Sequence, residues 1–180
     1  MNAAPPIFVI TGQLSAGKST VARALLASFA LGYHVDVDAM REMVTSGLAS
    51  PLEWTAETDR QFALALRASA AVARVYADAG FAVAIEGAVD PAEIESALDE
   101  VGLRERMIGV VLRPRLDVAL DRNRTRATKA FDTSVLEKVV REIDADLVRD
   151  AGRDGWHAID NSEEPVDATV ARILDLRGSD

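Results

Sequence analysis

Apolar and polar positions divide the chain into short unbroken apolar runs and longer stretches of helical period. Ile7-Phe8-Val9-Ile10-Thr11 predicts a strand covered on both faces. A glycine-containing loop, 12–17, separates it from a helical pattern over about 18–30, with Val21, Leu25, Leu26 and Phe29 three and four residues apart. Tyr33 to Val37 reads as a second strand, and 38–47 as a short helix closed by Gly47. Residues 49–58, with Pro51 and Trp54, read as an ordered loop. A long helix is predicted over 58–79, its buried stripe formed by Phe62, Leu66, Ala70, Ala73 and Tyr76. Phe81 to Ile85 predicts strand three, followed by Glu86-Gly87. Pro91 opens a helix that stops near Gly102, and 107–112 predicts strand four. A helix from Pro114 carries Arg122, Arg124 and Arg126; a break over 127–132 precedes a helix over 133–150. Residues 156–159 predict strand five, and 165–176 the last helix.

Five apolar strands alternating with helices predict an α/β fold, a parallel sheet with helices on both faces. Right-handed crossovers place every loop that follows a strand on one edge, where such sheets bind ligands. Functional residues are therefore expected directly after strands. The chain is expected to form a single domain over residues 1–180. Its 49% apolar and 27% charged residues are those of a globular protein, which excludes disorder as the main state. With no cysteine, a disulfide framework, an iron–sulfur cluster and a thiolate zinc site are excluded. His34 and His157 alone exclude a histidine-rich metal centre.

The most specific signal is Gly12-Gln13-Leu14-Ser15-Ala16-Gly17-Lys18-Ser19, which fits G-x-x-x-x-G-K-[ST] at every fixed position. Glycines let such a loop wrap so that its backbone N–H groups face phosphate oxygens. The helix that starts near Lys18 adds its positive end. Lys18 is the expected contact to the β- and γ-phosphates and Ser19 the expected Mg²⁺ ligand, with Thr20 next along the helix. The cofactors expected are ATP and Mg²⁺. Only three lysines occur beside seventeen arginines, and neither Lys129 nor Lys138 lies in a guanine-reading Asn-Lys-x-Asp segment. That absence favours ATP over GTP and sets aside the switch GTPases. Motor and transporter ATPases are set aside because strand four ends in Arg113-Pro114 rather than Asp-Glu.

Asp36-Val37-Asp38-Ala39-Met40-Arg41 follows strand two, on the expected edge. It resembles the D-x-D-x-x-R stretch of adenylylsulfate kinases, the D-x-x-R of polynucleotide kinases and the Val-Asp-Ser segment of chloramphenicol phosphotransferases. The resemblance implies that Asp38 is the base toward an acceptor hydroxyl and that Arg41 holds the substrate. Asp38 as the N-cap of the following helix, and Arg41 on a solvated helix face, are the structural alternatives. Ala84-Ile85-Glu86-Gly87 is similar to the Ile-Glu-Gly of zeta-toxin-type kinases, which implies that Glu86 faces the substrate; orienting magnesium waters is a second role open to it, and a buried structural glutamate is the alternative. The R-x-x-x-R of Arg122 and Arg126 looks like the lid of small P-loop kinases, expected here over about 122–135, with one of the pair stacking near adenine and the other neutralising charge on the γ-phosphoryl group; a solvated basic helix paired with Asp117 and Asp121 is the structural alternative. The segment Asp160-Asn161-Ser162 resembles the adenine-side loop of these kinases, where backbone contacts dominate. Trp54, Arg60, Phe62 and Arg67 flank the expected acceptor pocket.

These motifs identify the chain as a member of the broad group of P-loop small-molecule kinases. The group's fold implies the strand order 2-3-1-4-5. The expected activity is transfer of the γ-phosphoryl group of ATP to a hydroxyl of a small molecule, with an antibiotic, a sugar or a nucleoside as candidate acceptors. The alternatives are a nucleic-acid-end kinase and a non-catalytic, toxin-like nucleotide-binding regulator. A net charge of −9 argues against a nucleic-acid partner. No export or membrane segment stands out, so a cytoplasmic protein is expected. The pattern leaves the oligomeric state open.

Overall fold

The computed structural model describes residues 4–125 and 153–178. Five parallel strands form one sheet: β1 (Ile7–Gly12), β2 (Gly32–Asp36), β3 (Ala82–Glu86), β4 (Met107–Leu112) and β5 (Trp156–Ile159). Their order is β2-β3-β1-β4-β5, as expected. The described α-helices are α1 (Lys18–Leu26), α2 (Val37–Glu42), α3 (Ala56–Asp78), α4 (Pro91–Glu100), α5 (Leu116–Thr125) and α6 (Val166–Asp175), with 3-10 turns at Arg104–Arg106 and Leu176–Gly178.

Strand β1 explains why its sequence has no polar break. It pairs with β3 on one side and β4 on the other, and all six of its residues are buried. Ile7 and Val9 pack with Ala65, Leu66, Ala70 and Ala73 of α3 and Ile94 and Leu98 of α4. Phe8 and Ile10 face the opposite layer, with Val21, Ala22 and Leu25 of α1 and Val170 and Ile173 of α6. Successive side chains thus feed two cores, one on each face. Each fully buried large aliphatic or aromatic side chain contributes about 1.5–3 kcal/mol of transfer free energy, so the double core is the main support of the sheet.

Several helix boundaries depart from the periodic reading. Helix α1 stops at Leu26 rather than near residue 30, although Phe29 still packs on Phe8 with ring centroids 5.8 Å apart. Apolar spacing therefore continued past the last helical turn. Helix α2 ends at Glu42, five residues before Gly47. The loop after it is held by side chains instead: Gln61 Nε2 donates to the Gly47 carbonyl at 2.8 Å, and Gln61 Oε1 accepts from the Ala49 N–H at 2.9 Å. Helix α3 begins two residues early because Thr55 caps it, Thr55 and Thr58 forming a reciprocal capping box. Its buried face holds Thr58, Gln61, Ala65, Ser69 and Ala77, whereas Phe62 and Tyr76 are half-buried at its margin. Residues 126–152 hold the expected break, the helix over 133–150 and most of the expected lid, and lie outside the described residues. Among the described residues, no helix is long and apolar enough to cross a membrane.

Candidate active site

The loop between β1 and α1 takes its shape from two residue types. Gly12 has φ +143°, and a Cβ there would lie 2.1 Å from the Leu112 carbonyl oxygen, so only glycine fits beside β4. Ser15, at φ +64°, is the one non-glycine residue in the left-handed region among the described residues. Such a conformation costs on the order of 1–3 kcal/mol, is held by its surroundings, and is concentrated at functional sites. Its Oγ donates to Asn123 Oδ1 at 3.3 Å. Leu14 anchors the loop's crest against Ala119 and Leu120 of α5. Helix α1 starts from left-handed Gly17 with no side-chain cap and no acidic residue in its first turn. Its terminal N–H groups and the positive end of its dipole are thus left for an anion.

Side chains from distant elements brace this loop. Lys18 Nζ donates to the Gly12 carbonyl at 3.1 Å and the Gln13 carbonyl at 2.9 Å. Gln13 is fully buried. Asn161, after β5, donates its Nδ2 to the Ala16 carbonyl at 2.8 Å. Arg122, on α5, donates Nη2 to the carbonyls of Asn161 at 3.0 Å and Ser162 at 3.2 Å. A cavity of about 270 Å³ opens between these groups, walled by Gly17, Thr20 and Val21 on one side and by Asn161, Glu164 and Val166 on the other, with Arg122 at its margin. Arg122 and the phosphate loop are therefore brought together. Arg126 lies outside the described residues.

Glu86 ends β3 beside the loop and is 3% exposed. Burial favours its neutral form, but the neighbouring His34 ring, the Ser19 hydroxyl and the charge of Lys18 outweigh burial and hold its carboxyl below the usual carboxylate range. His34 Nε2 lies 3.4 Å from Glu86 Oε1. Glu86 thus stands on the Ser19 side of the loop. Among the described residues no three His, Asp or Glu side chains gather as a metal cage. A hydroxyl and a carboxylate at the phosphate loop nevertheless suit Mg²⁺, which takes few protein ligands and completes its shell with phosphate and water.

The β2–α2 junction corrects one expectation. Asp36, not Asp38, is the N-cap of α2: its φ is −99°, ψ 112°, and its Oδ1 accepts from the Ala39 N–H at 3.0 Å. Helical geometry starts one residue earlier than read because Val37 turns inward and is 1% exposed. Gly87 makes this possible, since a Cβ there would sit 3.2 Å from Val37 Cβ. Asp38 therefore lies in the first turn of α2, exposed, with its capping duty taken by Asp36. Cα register pairs Asp36 with Glu86, so α2 starts beside the strand whose end faces Ser19.

Arg41 is not on a solvated face. It is 5% exposed, donates Nη1 to the Ala49 carbonyl at 2.9 Å, and lies 4.6 Å over the Phe62 ring. Trp54 stacks on Phe62 with centroids 5.2 Å apart and rings 13° from parallel. Its indole N–H donates to Asp59 at 2.6 Å, yet the residue stays 60% exposed. Arg60 pairs with Glu57 and Arg67 with Glu100, both on the surface. Arg60 and Gln61 bring the Glu57 carboxyl down to about 2. Burial, with Asp90 and Asp59 nearby, pushes the Glu93 carboxyl up, which marks this side as acidic. The side-chain roles of Asn123, His34, Gln61, Asn161 and Glu164 were not foreseen. Only Asn161 carried a signal, its place directly after the last strand.

No curated protein matches the chain. Among solved structures, a sugar kinase from Janibacter sp. HTCC2649 superposes with a TM-score of 0.69 at 18% identity, covering 97% of this chain and 95% of that one. The Deinococcus radiodurans tunicamycin resistance protein gives 0.67 at 17%, covering 97% and 96%. A shikimate kinase from Acinetobacter baumannii in complex with shikimate gives 0.64 at 20%, covering 97% and 94%. At such identities these structures establish the fold, that of P-loop kinases. The family model described as chloramphenicol phosphotransferase-like protein matches residues 6–175. With that match spanning the sheet, the phosphate loop and the α2 segment, the chain belongs to the chloramphenicol phosphotransferase-like family.

Proposed function

We propose that the protein transfers the γ-phosphoryl group of ATP to a hydroxyl of a small molecule. The observation that carries this reading is the shared sheet edge: an uncapped α1 N-terminus with Lys18 and Ser19 lies on it together with Asp38 in the first turn of α2. The phosphate loop residues, Gly12 to Thr20, bind the triphosphate through backbone N–H groups. Ser19 would hold Mg²⁺, with Glu86 beside it; the ion would neutralise charge on the phosphate oxygens.

Phosphoryl transfer leaves the protein little covalent chemistry, so catalysis is positioning and charge stabilisation. The acceptor oxygen forms a bond to the γ-phosphorus as the bond to the β-phosphate oxygen breaks, and ADP leaves. Asp38 takes the hydroxyl proton or fixes the hydroxyl's direction. Lys18 and Arg122 carry developing negative charge, and Arg126 joins them in this reading. Arg41 shapes the acceptor side. Its Nε is buried and without a partner among the described residues, so it is the donor left for the acceptor. Trp54, exposed and pinned, offers a face for an apolar or ring-bearing acceptor body.

A screen of ADP release over hydroxyl compounds tests the reading, with Lys18→Ala as control. Acceptor-dependent ADP release that falls by at least about 10²-fold in Lys18→Ala is the expected outcome. Nucleotide binding without turnover on any acceptor would favour the regulator instead.

A further inference from the structure

We infer that Glu164 and Asn161 read the amino group of the adenine base, and so choose ATP over 6-oxopurine nucleotides; this rests on the proposed phosphotransferase reading. Both residues wall the cavity beside the phosphate loop, at Gly17, Thr20 and Val21. Each is pinned at one end. Asn161 Nδ2 is committed to the Ala16 carbonyl at 2.8 Å, and Glu164 Oε1 to Arg172 Nη1 at 2.6 Å. The other end of each is an acceptor: Asn161 Oδ1 and Glu164 Oε2 are buried and have no hydrogen-bond donor among the described residues. Asn161 as a whole is 6% exposed.

Two buried acceptors without donors are costly in a resting fold, and a ligand that supplies two donors relieves that cost. An exocyclic amino group carries two N–H donors on one nitrogen, one for each of the two unpartnered oxygens on residues that line this cavity. Adenine has such a group at position 6, whereas hypoxanthine and guanine place a carbonyl oxygen there. That oxygen would face two further oxygens, one of them on a carboxylate, with no proton between them. Val21 and Val166 supply apolar contact for the flat faces of a base. Glu164 is thus a specificity-determining residue and not a catalytic one.

The experiment measures Mg·ATP, Mg·ITP and Mg·GTP binding by calorimetry to the whole chain and to Glu164→Gln. The glutamine keeps an oxygen for Arg172 and turns an N–H₂ toward the base, so it accepts a 6-oxo group. The parent is expected to bind ATP at least about tenfold tighter than ITP, and Glu164→Gln to lose or reverse that preference with an unchanged Tm in the absence of nucleotide. Equal affinity of the parent for ATP and ITP, or an unaltered preference in Glu164→Gln, would overturn the inference and leave the phosphotransferase reading standing. Binding of none of the three nucleotides would overturn both. If Glu164→Gln lowers Tm, Glu164→Asp supplies the second test: it keeps the charge but withdraws the oxygen, and a weaker ATP preference is expected, an unchanged one contradicting the inference.

Discussion

The two halves of the candidate site are built differently. On the nucleotide side, the polar contacts tie the phosphate loop to itself, to α5 and to the β5–α6 connection, and α5 to that connection. Lys18 bonds the carbonyls of its own loop, Asn161 bonds Ala16, Ser15 bonds Asn123, and Arg122 bonds the β5–α6 connection. On the acceptor side, the buried polar groups Arg41, Thr58 and Gln61 tie the loop after α2 to the start of α3. Beyond them Met43, Leu52 and Trp54 are 70%, 57% and 60% exposed. Phosphate recognition is the same task in every nucleotide-dependent transfer, so its geometry is fixed in advance by backbone and braces. The acceptor differs from enzyme to enzyme, and in the proposed reading that surface keeps exposed side chains for a substrate to cover.

The comparison breaks most sharply at Gly12. Gly12→Ala puts a Cβ against the Leu112 carbonyl at a φ that alanine avoids. It should cost about 3 kcal/mol of stability, read by urea unfolding, and should weaken nucleotide binding with it. A loss below about 0.5 kcal/mol would mean that the loop is not held as rigidly as described. Asn161→Ala removes one brace and leaves the Ala16 carbonyl without its donor. A loss of about 1–3 kcal/mol is expected, together with weaker ATP binding and an unchanged KM for the acceptor. An acceptor KM that rose with it would join the two halves that the geometry separates. Trp54→Ala is the converse. Folding stability should change by about 1 kcal/mol or less, because the indole is mostly exposed. The acceptor KM should rise while the ATP KM stays put, and steady-state kinetics with both substrates varied would show otherwise if Trp54 merely packs on Phe62.

The same contrast governs what the sequence reveals. All five strands are legible, β1, β3 and β4 from apolar runs that burial on both faces requires, and β4 and β5 match to the residue although edge strand β5 exposes His157 and Ala158. The phosphate loop is legible because its glycines and lysine are required by local backbone geometry. The start of α2 is less so. Asp36 and Asp38 both suit a cap, and the choice between them depends on Val37 packing against Gly87, fifty residues away in sequence. Arg41 and Gln61 look like surface residues in a helical pattern, and their burial comes from a loop that folds back over α3. Asn161 and Asn123 brace the loop across more than a hundred residues, and no local pattern announces such a contact.

In the proposed transfer, Asp38 serves the acceptor hydroxyl while the nucleotide side works without it. Asp38→Asn removes the charge but spares the helix cap, which belongs to Asp36. Once an acceptor is in hand, single-turnover kinetics and ATP calorimetry on this variant test that role most directly. The transfer rate is expected to fall by about 10²–10⁴-fold, or about 3–5 kcal/mol of barrier, with ATP affinity within about threefold of the parent. A variant that transfers phosphate within about threefold of the parent rate would contradict that role and move the proton acceptor away from Asp38.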